Sequence, residues 1–203
     1  MREEFIHAIK SNQSAFGFEL SDESIGRLAE YYDLVMEHNE LLHLVAPCSP
    51  EEFAVRHILE SLTLLEYLPV GAKFADVGAG AGLPSIPCLL VRNDLHSVLI
   101  ESKEKKAKFL EVAIKNLGLK NKAEILNCQF EEADPTNCRF VTCRALDKFT
   151  KKLPRLIKWS NKRRMLLFGG LTLGETLQKC LVPFSAELMP MSRQRFLYVS
   201  DQS

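Results

Sequence analysis

The pattern of apolar positions changes near residue 70. Before that point apolar side chains recur three and four apart; after it, short apolar runs alternate with helical stretches. Ser21-Asp22-Glu23-Ser24 has N-cap chemistry, and Ile25, Leu28, Tyr31, Tyr32, Val35 and Met36 follow at helical spacing. Pro47 and Ser49-Pro50 break the chain. A second helix is expected from about Pro50, with Phe53, Ile58, Leu62 and Leu65 on one side and Leu68-Pro69 as its stop. The opening stretch, Met1-Arg2-Glu3-Glu4 onward, is amphipathic. It has no long apolar run and no small-residue cleavage site, so no signal peptide is expected.

From Lys73 the runs predict strands over Lys73–Val77, Ser97–Glu101, Ala123–Cys128, Arg139–Arg144 and Arg164–Phe168. Helices are expected from the glycine-rich turn to about Val91, over 102–117, over 149–159 with Pro154 interrupting it, and over 173–180. The second of these places Phe109, Val112, Ala113 and Leu117 inward, with Gly118 as C-cap. Glu187–Met191 and Arg195–Ser200 predict a closing β-hairpin. Strands alternating with crossover helices imply a doubly wound α/β fold, a mostly parallel seven-stranded sheet with helices on both faces. The expected division is a helical N-terminal extension, 1–70, and an α/β domain, 71–203.

Composition narrows this little. At 203 residues and 46% apolar, the chain suits one α/β domain with an extension. No apolar run is long enough to span a bilayer. None of the six cysteines stands in a C-x-x-C pair, so neither zinc nor another metal is expected; they read as reduced, buried thiols of a cytoplasmic protein. The net charge of zero conceals an asymmetry. Residues 1–70 hold 13 acidic and 4 basic side chains; residues 71–203 hold 13 acidic and 22 basic. A basic catalytic half fits a polyanionic partner approached from one side.

The segment most informative about chemistry is Phe74-Ala75-Asp76-Val77-Gly78-Ala79-Gly80-Ala81-Gly82-Leu83-Pro84, a strand running into a glycine turn and then a helix. Alternate glycines let a ligand approach the main chain without a Cβ clash. Dinucleotide folds use G-x-G-x-x-G beneath a pyrophosphate. Here the spacing is G-x-G-x-G, and Asp76, two residues before Gly78, would repel a pyrophosphate but suits the cationic methionine end of S-adenosylmethionine. Glu101 ends the second strand, where an acid accepts hydrogen bonds from ribose hydroxyls. Asp76, Gly78, Gly80, Gly82, Leu83 and Glu101 are therefore candidate cofactor-binding residues.

Asp76–Pro87, DVGAGAGLPSIP, closely resembles the glycine motif of the GidB/RsmG family, bacterial small-subunit rRNA guanine-N7 methyltransferases. Arg56-His57-Ile58-Leu59-Glu60-Ser61-Leu62 resembles that family's RHILDSL segment, and Glu101-Ser102 through Leu110, Gln129–Glu132, Cys143-Arg144-Ala145 and Arg195–Val199 fall in register. The chain departs from the family pattern at five places: His43 for an asparagine, Glu60 for the HILDS aspartate, Ser85 for the second GLPG glycine, Cys143 for a serine, and Phe168 for a lysine. The resemblance implies methyl transfer to N7 of a guanine in 16S rRNA, a class I methyltransferase fold, S-adenosylmethionine as cofactor, and 16S rRNA or the small ribosomal subunit as partner of a monomer. It adds Phe130, Glu131 and Arg144 as cofactor contacts, the first two flanking the adenine.

Guanine N7 carries a lone pair and no proton, so no general base is required and no catalytic residue is assigned; alignment suffices. His38, His43 and His57 read as helix packing or capping residues. Lys148, Lys151, Lys152, Arg155, Lys158, Lys162, Arg163 and Arg164 place eight cations in seventeen residues without one acid. Of these, Lys148, Lys151, Lys152, Arg155, Lys158 and Arg163 are the candidate RNA contacts. The sequence leaves open two alternatives, a small-molecule methyltransferase and a ribosome-binding module of the same fold without activity.

Overall fold

Apolar runs covered on both faces form the central strands, as parallel sheets require. In the computed structural model, which describes residues 1–134, 137–144 and 149–201, one sheet has the order β3-β2-β1-β4-β5-β7-β6. Strands β1 (Lys73–Val77), β2 (His96–Ile100), β3 (Ala123–Leu126), β4 (Phe140–Cys143) and β5 (Arg164–Gly169) are parallel. β7 (Phe196–Ser200) lies antiparallel to β5 and to the edge strand β6 (Phe184–Leu188). The strand order reverses between β1 and β4, so the crevice beyond their carboxyl ends is where such a sheet binds ligands.

The helical extension covers one face together with α5 (Ser85–Val91) and α6 (Glu104–Asn116); α7 (Phe149–Ser160) and α8 (Leu171–Lys179) cover the other. Phe5, Tyr31 and Phe53 of the extension share a continuous core with Phe74, Ile86, Leu99 and Phe109. Helix α2 (Asp22–Leu42) begins where the Ser21 hydroxyl accepts the Ser24 amide at 3.1 Å, with Asp22 and Glu23 facing the positive end of the helix dipole. It stops at His43, whose φ of 47° is left-handed. After α6, the Leu119 amide bonds Ile114 O and the Gly118 amide bonds Lys115 O, a Schellman stop on the expected glycine.

Residues 50–66 form a composite helical run. Ser49 caps it and Pro50 occupies its first turn. Its parts are α3 (Pro50–Glu52), a π-helical stretch Phe53–Leu59, α4 (Glu60–Leu62) and a 3₁₀ turn Thr63–Glu66. The π-helical widening falls on the RHIL part of the motif, and such widenings concentrate at functional sites.

Helix α1 (Arg2–Asn12) falls within the expected helical extension; Phe5 and Ile9 insert fully into its core and Phe5 stacks on Tyr32 at 4.7 Å. Two features differ from the expectation. Val112 is 39% exposed, not inward; Phe109, Leu110, Ala113 and Ile114 form the buried stripe and leave it beside them. Strand β6 lies three residues before the expected Glu187–Met191, because Met189-Pro190-Met191 makes the turn, with Met191 at φ 57°. Pro190 has no amide to donate to a ladder.

Candidate active site

The glycine turn leaves β1 at the sheet's switch point. Gly78, Gly80 and Gly82 have φ of 73°, 54° and 91°, the left-handed conformation that side chains disfavour. The amides of Gly78 and Ala79 both bond Ile100 O, at 2.8 and 3.2 Å, which fixes the turn to the end of β2. Gly80 and Gly82 serve different ends. A Cβ at Gly80 would meet only Gly78 O, at 3.7 Å, so the space above it is open. A Cβ at Gly82 would lie 2.3 Å from Ile86 Cδ1, so this glycine permits close packing of α5.

Beyond the turn lies a cavity of about 210 Å³. Its floor is Gly78, Ala79, Gly80, Ala81 and Leu83; its roof is Leu44, Val45 and Ala46 from the segment after α2; His57, Lys106 and Arg144 complete it. The roof is tied down by Lys106 Nζ donating to His43 O at 3.1 Å and by the Val45 amide donating to Asn39 Oδ1 at 2.9 Å. Beneath the floor, Tyr31 of α2 donates its hydroxyl to Ala81 O at 2.9 Å.

Two acids brace the turn. Glu101, just past β2, accepts the Gly80 amide at 2.9 Å and the Lys103 amide at 2.8 Å. Asp76 is fully buried; its Oδ2 accepts from Ser85 Oγ at 2.7 Å, and its Oδ1 has no hydrogen-bond partner among the described residues. Burial, only partly offset by bonds from the Ser85 hydroxyl and amide, pushes the Asp76 carboxyl up to about 7.

Arg144, just past β4, is held on several sides. Its Nη2 lies 3.2 Å from Glu60 Oε2 and donates to Arg56 O, its Nη1 donates to Ser61 Oγ at 3.1 Å, and its guanidinium lies 5.4 Å from the Phe168 ring centre. Arg195 Nε reaches the other oxygen of Glu60 at 2.6 Å. Glu60, whose side chain is 2% exposed, is thus clasped by two arginines from distant parts of the chain. Next to them, burial first and then the charges of Arg144, Arg56 and Arg195 push His57 down to about 3, so its imidazole is neutral at physiological pH.

Among the sequence candidates, Gly78, Gly80, Leu83 and Arg144 line the cavity, and Asp76 and Glu101 brace it. Gly82 packs beneath. Phe130 and Glu131, on the 3₁₀ turn Phe130–Glu132, are not among its lining residues: Phe130 is buried edge-on to Trp159 at 5.7 Å, and Glu131 pairs with Arg155 at 3.1 Å. On α7, Leu153 and Leu156 are buried, while Lys151 and Lys158 are exposed, Lys152 is half-buried and Arg155 is exposed in its pair with Glu131. Arg163 donates to Cys138 O at 3.0 Å and lies over Trp159, so it holds local structure. Lys148 falls outside the described residues, as does Ala145. The sequence reading missed the Glu60 clasp, Ser85, Lys106 and the 44–46 roof. For Glu60 a signal was present: one acid inside the apolar run Ile58–Leu64.

The GidB family model, described as rRNA small subunit methyltransferase G, matches residues 24–179. The chain belongs to this family. Among its GidB relatives, a ribosomal RNA small subunit methyltransferase G from Pelotomaculum thermopropionicum is 42% identical over 113 residues, covering 55% of this chain and 47% of its own. A relative of the same name from Neisseria meningitidis serogroup C (strain 053442) is 30% identical over 162 residues, 80% of this chain and 75% of its own. The aligned part of the chain spans about half the length of the Pelotomaculum relative. Among solved structures, a SAM-dependent methyltransferase from Aquifex aeolicus matches with a TM-score of 0.57 at 17% identity, over 75% of this chain and 93% of that one. At that identity the likeness shows the fold, the Rossmann-like class I methyltransferase fold. Among the described residues no helix is long and apolar enough to cross a membrane, and no group of three or more His, Cys, Asp or Glu is placed to hold a metal.

Proposed function

We propose that this protein binds S-adenosylmethionine and methylates N7 of a guanine in 16S ribosomal RNA, acting as a monomer in the bacterial cytoplasm. The observation that carries this reading is the glycine cradle, open at Gly80 and braced by Glu101, at the sheet's switch point in a chain of the GidB family. The residues present fit the cofactor. The missing Cβ at Gly80 leaves room for a nucleoside, Glu101 supplies a carboxylate for ribose hydroxyls, and Asp76 Oδ1 is a buried acceptor without a donor that a cationic group would satisfy. When bound, the cofactor supplies an electrophilic methyl group on a sulfonium. The names of the relatives favour RNA over a small-molecule substrate.

The chain's residues then orient and enclose. Guanine N7 has no proton to lose, so the site needs alignment and no general base. His57 is neutral, and Glu60 offsets part of the charge of Arg144 beside it. The exposed lysines of α7, the helix that follows β4 and Arg144 in the chain, would meet RNA phosphates.

Mapping N7-methylguanine in rRNA from cells with and without this protein tests the reading directly; identical maps would remove it. On the purified protein, Gly80→Arg is expected to abolish cofactor binding in calorimetry while the chain stays folded, since the new side chain fills open space. Unchanged affinity would contradict the cradle. Reversing Lys151, Lys152 and Lys158 to Glu is expected to weaken RNA binding and flatten its dependence on salt, read by filter binding from low to high KCl. A variant with the parent's affinity and salt slope would take α7 out of the RNA face.

A further inference from the structure

We propose that Ser85, backed by Ser97, is a positioning residue for the cofactor: its hydroxyl grips one oxygen of Asp76 and leaves the other presented to the cationic end of the methyl donor. The inference rests on the methyl-donor reading above and deepens it.

Asp76, Ser85 and Ser97 are 0%, 0% and 1% exposed, a polar chain sealed from water. Ser97 Oγ donates to Ser85 Oγ at 3.2 Å, and Ser85 Oγ donates to Asp76 Oδ2 at 2.7 Å. Asp76 Oδ1 remains without a donor among the described residues. A buried carboxylate oxygen left unpaired is costly, and such atoms persist where a ligand completes them. Gly78, two residues on, lines the cavity. Glycine stands at position 85 in the motif this sequence otherwise resembles, and glycine brings no hydroxyl.

The groups around Asp76 set the sign. Glu101 disfavours its charge and Arg144 favours it; Tyr31 from α2 and Cys88 from α5 also face it, and burial pushes both above their ordinary values, so they stay neutral near pH 7. Burial outweighs the Ser85 bonds and leaves Asp76 titrating near neutrality. A cationic ligand binds the ionised form. The carboxyl's contribution to affinity is therefore full above its pKa and falls as pH drops through it, while titration of the ligand's own amine acts equally on parent and variant and cancels in their ratio.

The test is calorimetry with S-adenosylmethionine on the full chain between pH 6 and 8.5, with an NMR titration of the Asp76 side-chain carboxyl in the ligand-free protein. Ser85→Ala is expected to raise the Asp76 midpoint by about one pH unit and therefore to weaken binding roughly five- to tenfold at or below pH 7. At pH 8.5 the two proteins should bind within about twofold of each other, because both carboxyls are then ionised. Ser97→Ala should move both readings the same way by less, and Asp76→Asn should flatten the pH profile. An Asp76 midpoint unmoved by Ser85→Ala overturns the inference, as does an affinity loss equal at every pH, which is what a merely structural serine gives. A parent protein that fails to bind the methyl donor removes the methyl-donor reading instead, and the carboxyl titration still decides the role of Ser85.

Discussion

Glu60→Gln is expected to lower the unfolding free energy by about 3–5 kcal/mol, a large part of what a domain of this size has. The parent carboxylate is 2% exposed and meets Arg144 and Arg195, whose side chains are 14% and 29% exposed. Removing its charge leaves Arg144 buried against Arg56 O and Ser61 with no counter-ion, and an uncompensated buried cation is the costly case. Urea unfolding at neutral pH reads the change. Glu60→Asp keeps the charge, and aspartate is the residue of the motif this segment resembles; it should retain most of the stability. Arg195→Met should cost less than Glu60→Gln, because Glu60 keeps Arg144. A Glu60→Gln protein within about 1 kcal/mol of the parent would place the pair in the surface regime, where ion pairs contribute little.

Gly82→Ala is the second large effect, expected at about 2–4 kcal/mol from two additive causes. At φ 91° an alanine is strained, and its Cβ would stand 2.3 Å from Ile86 Cδ1 and 2.7 Å from Ile86 Cγ1. Gly80→Ala, at φ 54° with only Gly78 O at 3.7 Å, should lose about 1 kcal/mol, backbone strain alone. Combining Gly82→Ala with Ile86→Val removes Cδ1 and should restore part of the loss. Equal losses at positions 80 and 82 would mean that α5 yields freely and that the contact with Ile86 is soft.

The sheet was legible because its strands are continuous apolar runs punctuated by turn residues; β1, β2, β4 and β5 lie within a residue of expectation. The glycine turn and Glu101 were legible because left-handed backbone and a carboxylate at a strand's end have local sequence signatures. The bounds of helix α1 were not, since its buried stripe is only Phe5, Ala8 and Ile9. The Glu60 clasp was not, because its partners lie 84 and 135 residues away and one sequence carries no trace of such pairing. Val112 was misread because an apolar residue at the border of a helical stripe can fall on either side of it.

The roof over the cavity comes from the segment after α2, Tyr31 props its floor, and Glu60 anchors its arginine. Arg27 adds two bonds, to Leu90 O and Leu117 O, stitching α2 to the ends of α5 and α6. The acidic leader is therefore not a detachable module. Grafting a foreign extension onto this sheet would reshape the cavity itself, and a chimaera would inherit its lining from both parents.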